Sequence, residues 1–323
     1  MKVNKKHLFL TIFLPIQVLL VQLAAKNPAF IETYYSNGIY PIISSFLRII
    51  LGWIPFSFGD ILLPLLLFIF LRFLYRLIKS RFKNLTYKII HFTSILSIIY
   101  FCFYLFWGLN YYREPLAKNL KYQQTKYTTE QLQKVTETII EKLNFYQYEI
   151  TKNDTIKVEN SYHQKEIYKM AVAGYKNLEA DFPQLKYKYT SVKSSLMSLL
   201  QTYNGTSGYL NPITGFLAAN YNDDIYFKYA SYRMAFGYCI SEIRKRDRDL
   251  SKKLWKTINK GITKDFNASY LFWQDYKNLF EPVIKKGYSA YLKANKQAKG
   301  VESYNYVVDL LISYFETIKP NSK

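Results

Sequence analysis

The sequence predicts a mainly α-helical membrane protein, with three transmembrane helices followed by an external all-helical domain. Three observations carry this. The long uncharged runs crowd into residues 8–109. The short segment between the second and third runs is basic with no acid in it. Residues 110–323 repeat apolar side chains at helical spacing, with no strand alternation longer than about Lys186–Tyr189.

The first span is expected over about residues 8–25. Leu8 to Ala25 carries no charge and follows Lys2, Lys5 and Lys6. Eighteen residues at ~1.5 Å each just cross a hydrocarbon core. A cleaved signal peptide competes here, because Leu23-Ala24-Ala25 resembles a weak cleavage site. Residues 39–53 are apolar but broken by Ser44, Ser45 and Arg48. They read as an interfacial helix or a re-entrant piece, too short to cross. The second span is expected over 61–78, with Arg72 and Arg76 close enough to one end to snorkel. The third is expected over 89–109, with Trp107, Tyr111 and Tyr112 as an aromatic belt at its far end.

Basic residues set the orientation. Lys79, Arg81, Lys83 and Lys88 lie between the second and third spans, and the N-terminus is also basic. Both belong in the cytoplasm. Residues 1–110 are therefore read as the membrane region and 111–323 as an extracytoplasmic helical domain, attached to the cytoplasmic membrane. Lysine and arginine number 44 against 23 acids. The external part keeps 33 of the bases and 21 of the acids. Anionic lipid or cell-envelope glycan suits such a domain, and a Lys/Asn/Ile/Tyr-rich composition explains the excess without any partner. Nucleic acid is not expected outside the membrane, and the lipid bilayer is the one partner implied throughout.

The external domain reads as successive helices. Thr128-Thr129-Glu130-Gln131 is a capping box ahead of Leu132, Val135, Ile139 and Leu143. Ile167, Met170, Ala171, Gly174 and Leu178 form the next stripe, ending before Phe182-Pro183. Asp223-Asp224 is placed to cap a helix running to about Arg246. Leu250, Leu254 and Ile258 follow, then a long pattern over 270–298 with a kink near Pro282, and finally Val307 to Tyr314. The 32 tyrosines suit half-buried faces, where a ring packs and its hydroxyl stays wet.

Chemistry is scarce. The histidines are His7, His91 and His163. The first two flank spans, and His163 reads as a surface or helix-start residue. One imidazole and Glu166 a turn later do not make a zinc site, which takes three or four ligands. Ser194, Ser195 and Ser207 lack a neighbouring base other than His163, and no Gly-x-Ser-x-Gly elbow exists. Asp223, Asp224 and Glu281 could form an acid/base pair, but a helix cap and a solvated face explain them more simply. Asp247 and Asp249 read as a helix end. Cys102 and Cys239 support neither a disulfide framework nor a metal cluster. No catalytic, cofactor-binding or metal-binding residue is assigned.

Several stretches, taken in order, resemble a bacterial membrane family catalogued as domain of unknown function 3810. They are Ile54-Pro-Phe-Ser-Phe-Gly-Asp60, Gly108-Leu-Asn-Tyr-Tyr-Arg-Glu-Pro-Leu116, Lys193-Ser-Ser195, Gly208-Tyr-Leu-Asn-Pro-Ile-Thr-Gly215, Asp224-Ile-Tyr-Phe-Lys-Tyr229, Tyr291-Leu-Lys-Ala-Asn295 and Ser303-Tyr304. The resemblance implies a zincin-like metallopeptidase domain. It further implies a metal helix carrying His-Glu-x-x-His between a Pro-x-x-Gly stretch and a Phe-Leu-Ala continuation. Here Gly215 runs directly into Phe216-Leu217-Ala218. Two histidines at i and i+4 and the glutamate between them are what such chemistry needs. The expectation is therefore a zincin-like domain lacking its metal-binding helix: an internal-deletion remnant or a degenerate member. A basic envelope-binding scaffold is one alternative, and a metallopeptidase restored by a longer gene is another. A further alternative is an enzyme of different mechanism built on His163 and nearby carboxylates. The join is expected to be loosely packed, with Tyr203, Tyr209, Phe216 and Tyr221 partly exposed along a groove.

Overall fold

The fold is a computed structural model that describes residues 4–122, 127–186, 192–196, 212–275 and 306–317, with isolated positions between 282 and 293. The chain divides into two units. One holds residues 1–114 and 193–197, and the other holds 115–192 and 198–323.

Unit one contains three helices long and apolar enough to cross a membrane: α1 (Lys5–Ala24), α3 (Gly59–Lys79) and α4 (Leu85–Phe106). Each lies within a few residues of the run that predicted it. Their starts reach back past the apolar runs, because a helix does not end where hydrophobicity does. Asn4 caps α1 by accepting from the Lys6 N–H. α4 stops earlier than its aromatic belt suggests. Trp107 leaves helical geometry at φ −161°, and Gly108–Tyr112 forms a 3₁₀ turn.

α1 and α4 lie side by side and run parallel. His7 bonds Ser94, Thr11 bonds Ile90 and Thr93, and Gln17 bonds Ser97. Farther on, Val21 and Ala25 cluster with Tyr100, Tyr104 and Tyr112. α3 and α4 form an antiparallel hairpin. Phe73 stacks on Phe92 at 4.1 Å, and Lys88 donates to the Arg76 carbonyl.

Between α1 and α3 the chain is helical for longer than 39–53. A turn Pro28–Phe30, a π-helical segment Ile31–Ile39 and α2 (Tyr40–Leu51) follow one another with helical backbone at each junction. Glu32, Ser36 and Asn37 hide this helix from a hydropathy reading.

The regular elements described in unit two are all helices, joined by turns and extended stretches such as 152–163. Its elements are α5 (Thr129–Thr151), α6 (Gln164–Asp181), α7 (Pro212–Asn220), α8 (Ile225–Arg246), α9 (Arg248–Trp255), α10 (Lys260–Asp275) and α11 (Tyr306–Thr317). The capping box at Thr128 and Gln131 forms, and Asp224 caps α8 through the Tyr226 and Phe227 N–H groups. The core is built on the predicted stripe of α5, where Leu132, Ile139 and Leu143 are fully buried. Phe236, Ile243, Ile262, Leu310 and Leu311 complete it. Tyr146, Tyr175, Tyr221 and Tyr238 pack half-buried around it, as the tyrosine content suggested. The strand piece at Lys186–Thr190 falls outside the described residues apart from Lys186. The expected kink near Pro282 lies in a stretch of which only isolated positions are described.

Candidate functional site

The join between Gly215 and Phe216 falls inside α7. Phe216, Leu217 and Ala218 are all buried. The Phe216 ring stands edge-on to Tyr232 at 5.8 Å and to Tyr314 at 5.6 Å. α6 meets α7 at Gly174, where an added Cβ would lie 2.1 Å from the Ala218 carbonyl oxygen. Only a residue without a side chain permits that approach. Polar groups lock the C-terminal end. Asn220 Nδ2 donates to the Tyr314 hydroxyl at 3.1 Å, Asn177 Nδ2 to the Tyr221 carbonyl at 3.0 Å, and the Tyr221 hydroxyl to Asp181 at 2.8 Å.

The expected groove is therefore corrected at Phe216, which is 1% exposed. Two tyrosine faces supply the edge-on contacts that a ring prefers, so the flanks close over the join. Tyr221 is half-buried and hydrogen-bonded. Tyr203 and Tyr209 lie outside the described residues. Among the described residues no group of three or more His, Cys, Asp or Glu side chains is arranged to hold a metal.

The residues singled out for chemistry scatter. His163 stands at the start of α6, where its backbone N–H donates to Glu166 at 2.8 Å. Asp224 is a cap, and it also accepts from the Tyr162 hydroxyl at 2.6 Å, a bond that pushes the phenol up to about 12. Asp247 caps α9, and Asp249 pairs with Lys252. Cys239 is fully buried in α8, and burial pushes its thiol up to about 12, out of reach of thiolate chemistry. Ser207 and Glu281 lie outside the described residues.

Ser194 and Ser195 do have partners, but structural ones within unit one. The Ser195 hydroxyl and the Leu196 N–H both donate to Asp60, at 2.8 and 2.7 Å. The Ser57 N–H donates to the Ser194 carbonyl, forming a parallel bridge between Phe56 and Ser194. Lys193 Nζ donates to the Leu51 carbonyl. Two of the stretches quoted above, 54–60 and 193–195, thus form one clasp.

A third stretch, 108–116, is anchored by the π-helical segment. Arg113 donates to both oxygens of Glu32, at 2.9 and 2.6 Å, and the Glu114 N–H adds a third bond at 3.2 Å. The Ser36 hydroxyl donates to Asn110 at 2.8 Å. A forked guanidinium on a nearly buried carboxylate fixes orientation as well as charge.

Sequence reasoning missed one cluster in unit two. Asp265 accepts from the Tyr229 hydroxyl and from the Val158 N–H. Burial holds the Asp265 carboxyl above its ordinary range and pushes the Tyr229 phenol up further. Arg233 reaches the Asp265 carbonyl and Ser269, and its guanidinium lies 4.6 Å over the Phe266 ring. The available signal was spacing: Tyr229 with Arg233 and Asp265 with Ser269 are both i, i+4 pairs.

The chain matches the family model described as "Protein of unknown function (DUF3810)" over residues 35–215 and 213–312. It belongs to the DUF3810 family. No curated protein and no solved structure matches it significantly. Both the clasp and the Arg113 stretch lie within the DUF3810 match. The two matched stretches meet at 213–215, in the first turn of α7.

Proposed function

We propose that this DUF3810 member is a membrane-anchored, zincin-derived protein without peptidase activity. The observation that carries the reading is the break in the family match at 213–215, the point where Gly215 meets Phe216. A sequence matched in two pieces at that position suits a chain that has lost what the family holds there. Neither a His-Glu-x-x-His pair nor any histidine beyond His163 is available to residues 111–323. Three of the four ligands of a catalytic zinc must come from protein side chains. The closed packing of α7 supports a degenerate member adapted to the change over a loose remnant.

The same reading places α1, α3 and α4 across the inner membrane, with the N-terminus and residues 79–88 in the cytoplasm. The basic hairpin between α3 and α4 supports this. Parallel packing of α1 and α4 supports it too, since one return crossing must lie between them. Purified chain incubated with a casein or peptide-library substrate should show no cleavage that a zinc chelator suppresses. Chelator-sensitive turnover that survives purification to homogeneity would contradict the proposal.

A further inference from the structure

The helix over residues 28–51 buries a carboxylate and a hydroxyl beside Ile31 and Tyr35, and carries large apolar side chains on its outside. Glu32 and Ser36 point inward, at 9% and 5% exposure, onto Arg113 and Asn110. Phe30, Tyr34, Ile42, Phe46, Ile49 and Trp53 point outward. They are spaced three or four residues apart except between Tyr34 and Ile42, where exposed Gly38 stands midway, so they follow one side of the segment. Ile42 is 73% exposed and Trp53 80% exposed. In water a helix turns its apolar stripe to the core and its charges outward. The reverse arrangement calls for an apolar surrounding on the outside.

Length alone does not say how this helix meets a bilayer. At ~1.5 Å per residue it is roughly 35 Å long, enough to cross. Chain direction decides. α1 and α4 are parallel, and α3 is antiparallel to α4. α1 and α3 therefore run in opposite directions, and the segment joining them begins and ends on one side. A crossing by residues 28–51 would reverse α4 relative to α1.

We infer that residues 28–51 form a helix lying along the outer membrane–water interface, with the apolar residues from Phe30 to Trp53 seated in lipid. Its occupant is the outer leaflet of the bilayer itself. The stripe leads directly into the lipid-facing surface of α3, whose described side chains are largely exposed and apolar. Glu32 and Ser36 stay turned toward Arg113 and Asn110, which pin the helix beyond the end of α4. Tyrosine and tryptophan at the two ends of the stripe match the residues that favour the headgroup level. The inference rests on reading α1, α3 and α4 as spans, and its test separates the two claims.

The test places single nitroxide labels at Ile42→Cys, Phe46→Cys and Ile49→Cys in full-length Cys102→Ala protein. Cys239 is 0% exposed and stays. A fourth label at Leu67→Cys, exposed at mid-α3, serves as the depth reference. The protein is reconstituted in phosphatidylethanolamine–phosphatidylglycerol vesicles, and depth is read from collisions with oxygen and with a water-soluble nickel chelate. The labelled positions are exposed, so folding is not at stake. The expected result is one shared shallow depth at 42, 46 and 49, favouring oxygen over nickel, with Leu67 deeper. Depth changing steadily from 42 to 49 overturns the inference in favour of a crossing. Nickel access equal to that of a free label, or access to neither reagent, overturns it in favour of water or a protein partner. A Leu67 label open to nickel overturns the span reading and this inference together.

Discussion

Asp265 carries the clearest electrostatic consequence at the level of single residues. Its folded-state pKa is raised by burial, so the fold disfavours its charged form relative to the unfolded chain. A group shifted this way contributes stability that is complete below the unfolded carboxylate range and lost as pH rises through the folded value. Asp265→Asn keeps an acceptor for Tyr229 and Val158 without the charge. Its melting temperature is expected to equal or exceed the wild type at neutral pH, with the difference shrinking as pH falls below the ordinary aspartate range of about 4. Thermal melts across that range check it, and a variant less stable than the wild type at neutral pH would contradict the assignment. Asp265→Ala is different: it strands two donors, and about 1–3 kcal/mol of stability should be lost. None of this was legible beforehand, because Val158, Tyr229 and Asp265 are brought together only by folding. Thr128, Asp224 and His163 were legible, since a cap is set by its own helix start.

Among the elements, α7 is where the sequence misled. The expectation of a missing segment suggested a loosened join, yet Phe216 packs edge-on against Tyr232 and Tyr314. Sequence shows which residues flank a gap but not whether the flanks can close. Phe216→Ala is therefore expected to lower unfolding free energy by about 3–5 kcal/mol, as for other buried aromatics. A denaturant titration reading less than about 1 kcal/mol would restore the loose join. Gly174→Ala should also destabilise, by roughly 1–3 kcal/mol, because its Cβ meets the Ala218 backbone and not a movable side chain. The three membrane-length helices were readable because their apolar runs are long, broken only by Arg72 and Arg76 near the end of the second. The helix over 28–51 was only half readable. Glu32 and Ser36 face inward while Ile42, Phe46 and Ile49 face outward, so hydropathy alone marks only its second half.

For the whole molecule, DUF3810 membership and three membrane-length apolar helices frame the account. The proposed orientation rests on the basic segment 79–88. Alkaline phosphatase fused after Lys323 should be active, and a reporter that works only in the cytoplasm should be silent there. The opposite pair of results would reverse the topology. What the ordered motifs could show from sequence was the family and the place where its pattern breaks. What they could not show was that Asp60 and Ser195, 135 positions apart, close a clasp, or that α7 packs shut across the break. The central claim is that this chain has no zinc-peptidase site. The most direct test is the metal content of purified full-length protein after exposure to equimolar zinc and removal of the excess. Zinc far below one atom per chain is the predicted result. One zinc per chain, retained against a weak chelator and lost in a His163→Ala variant, would contradict it.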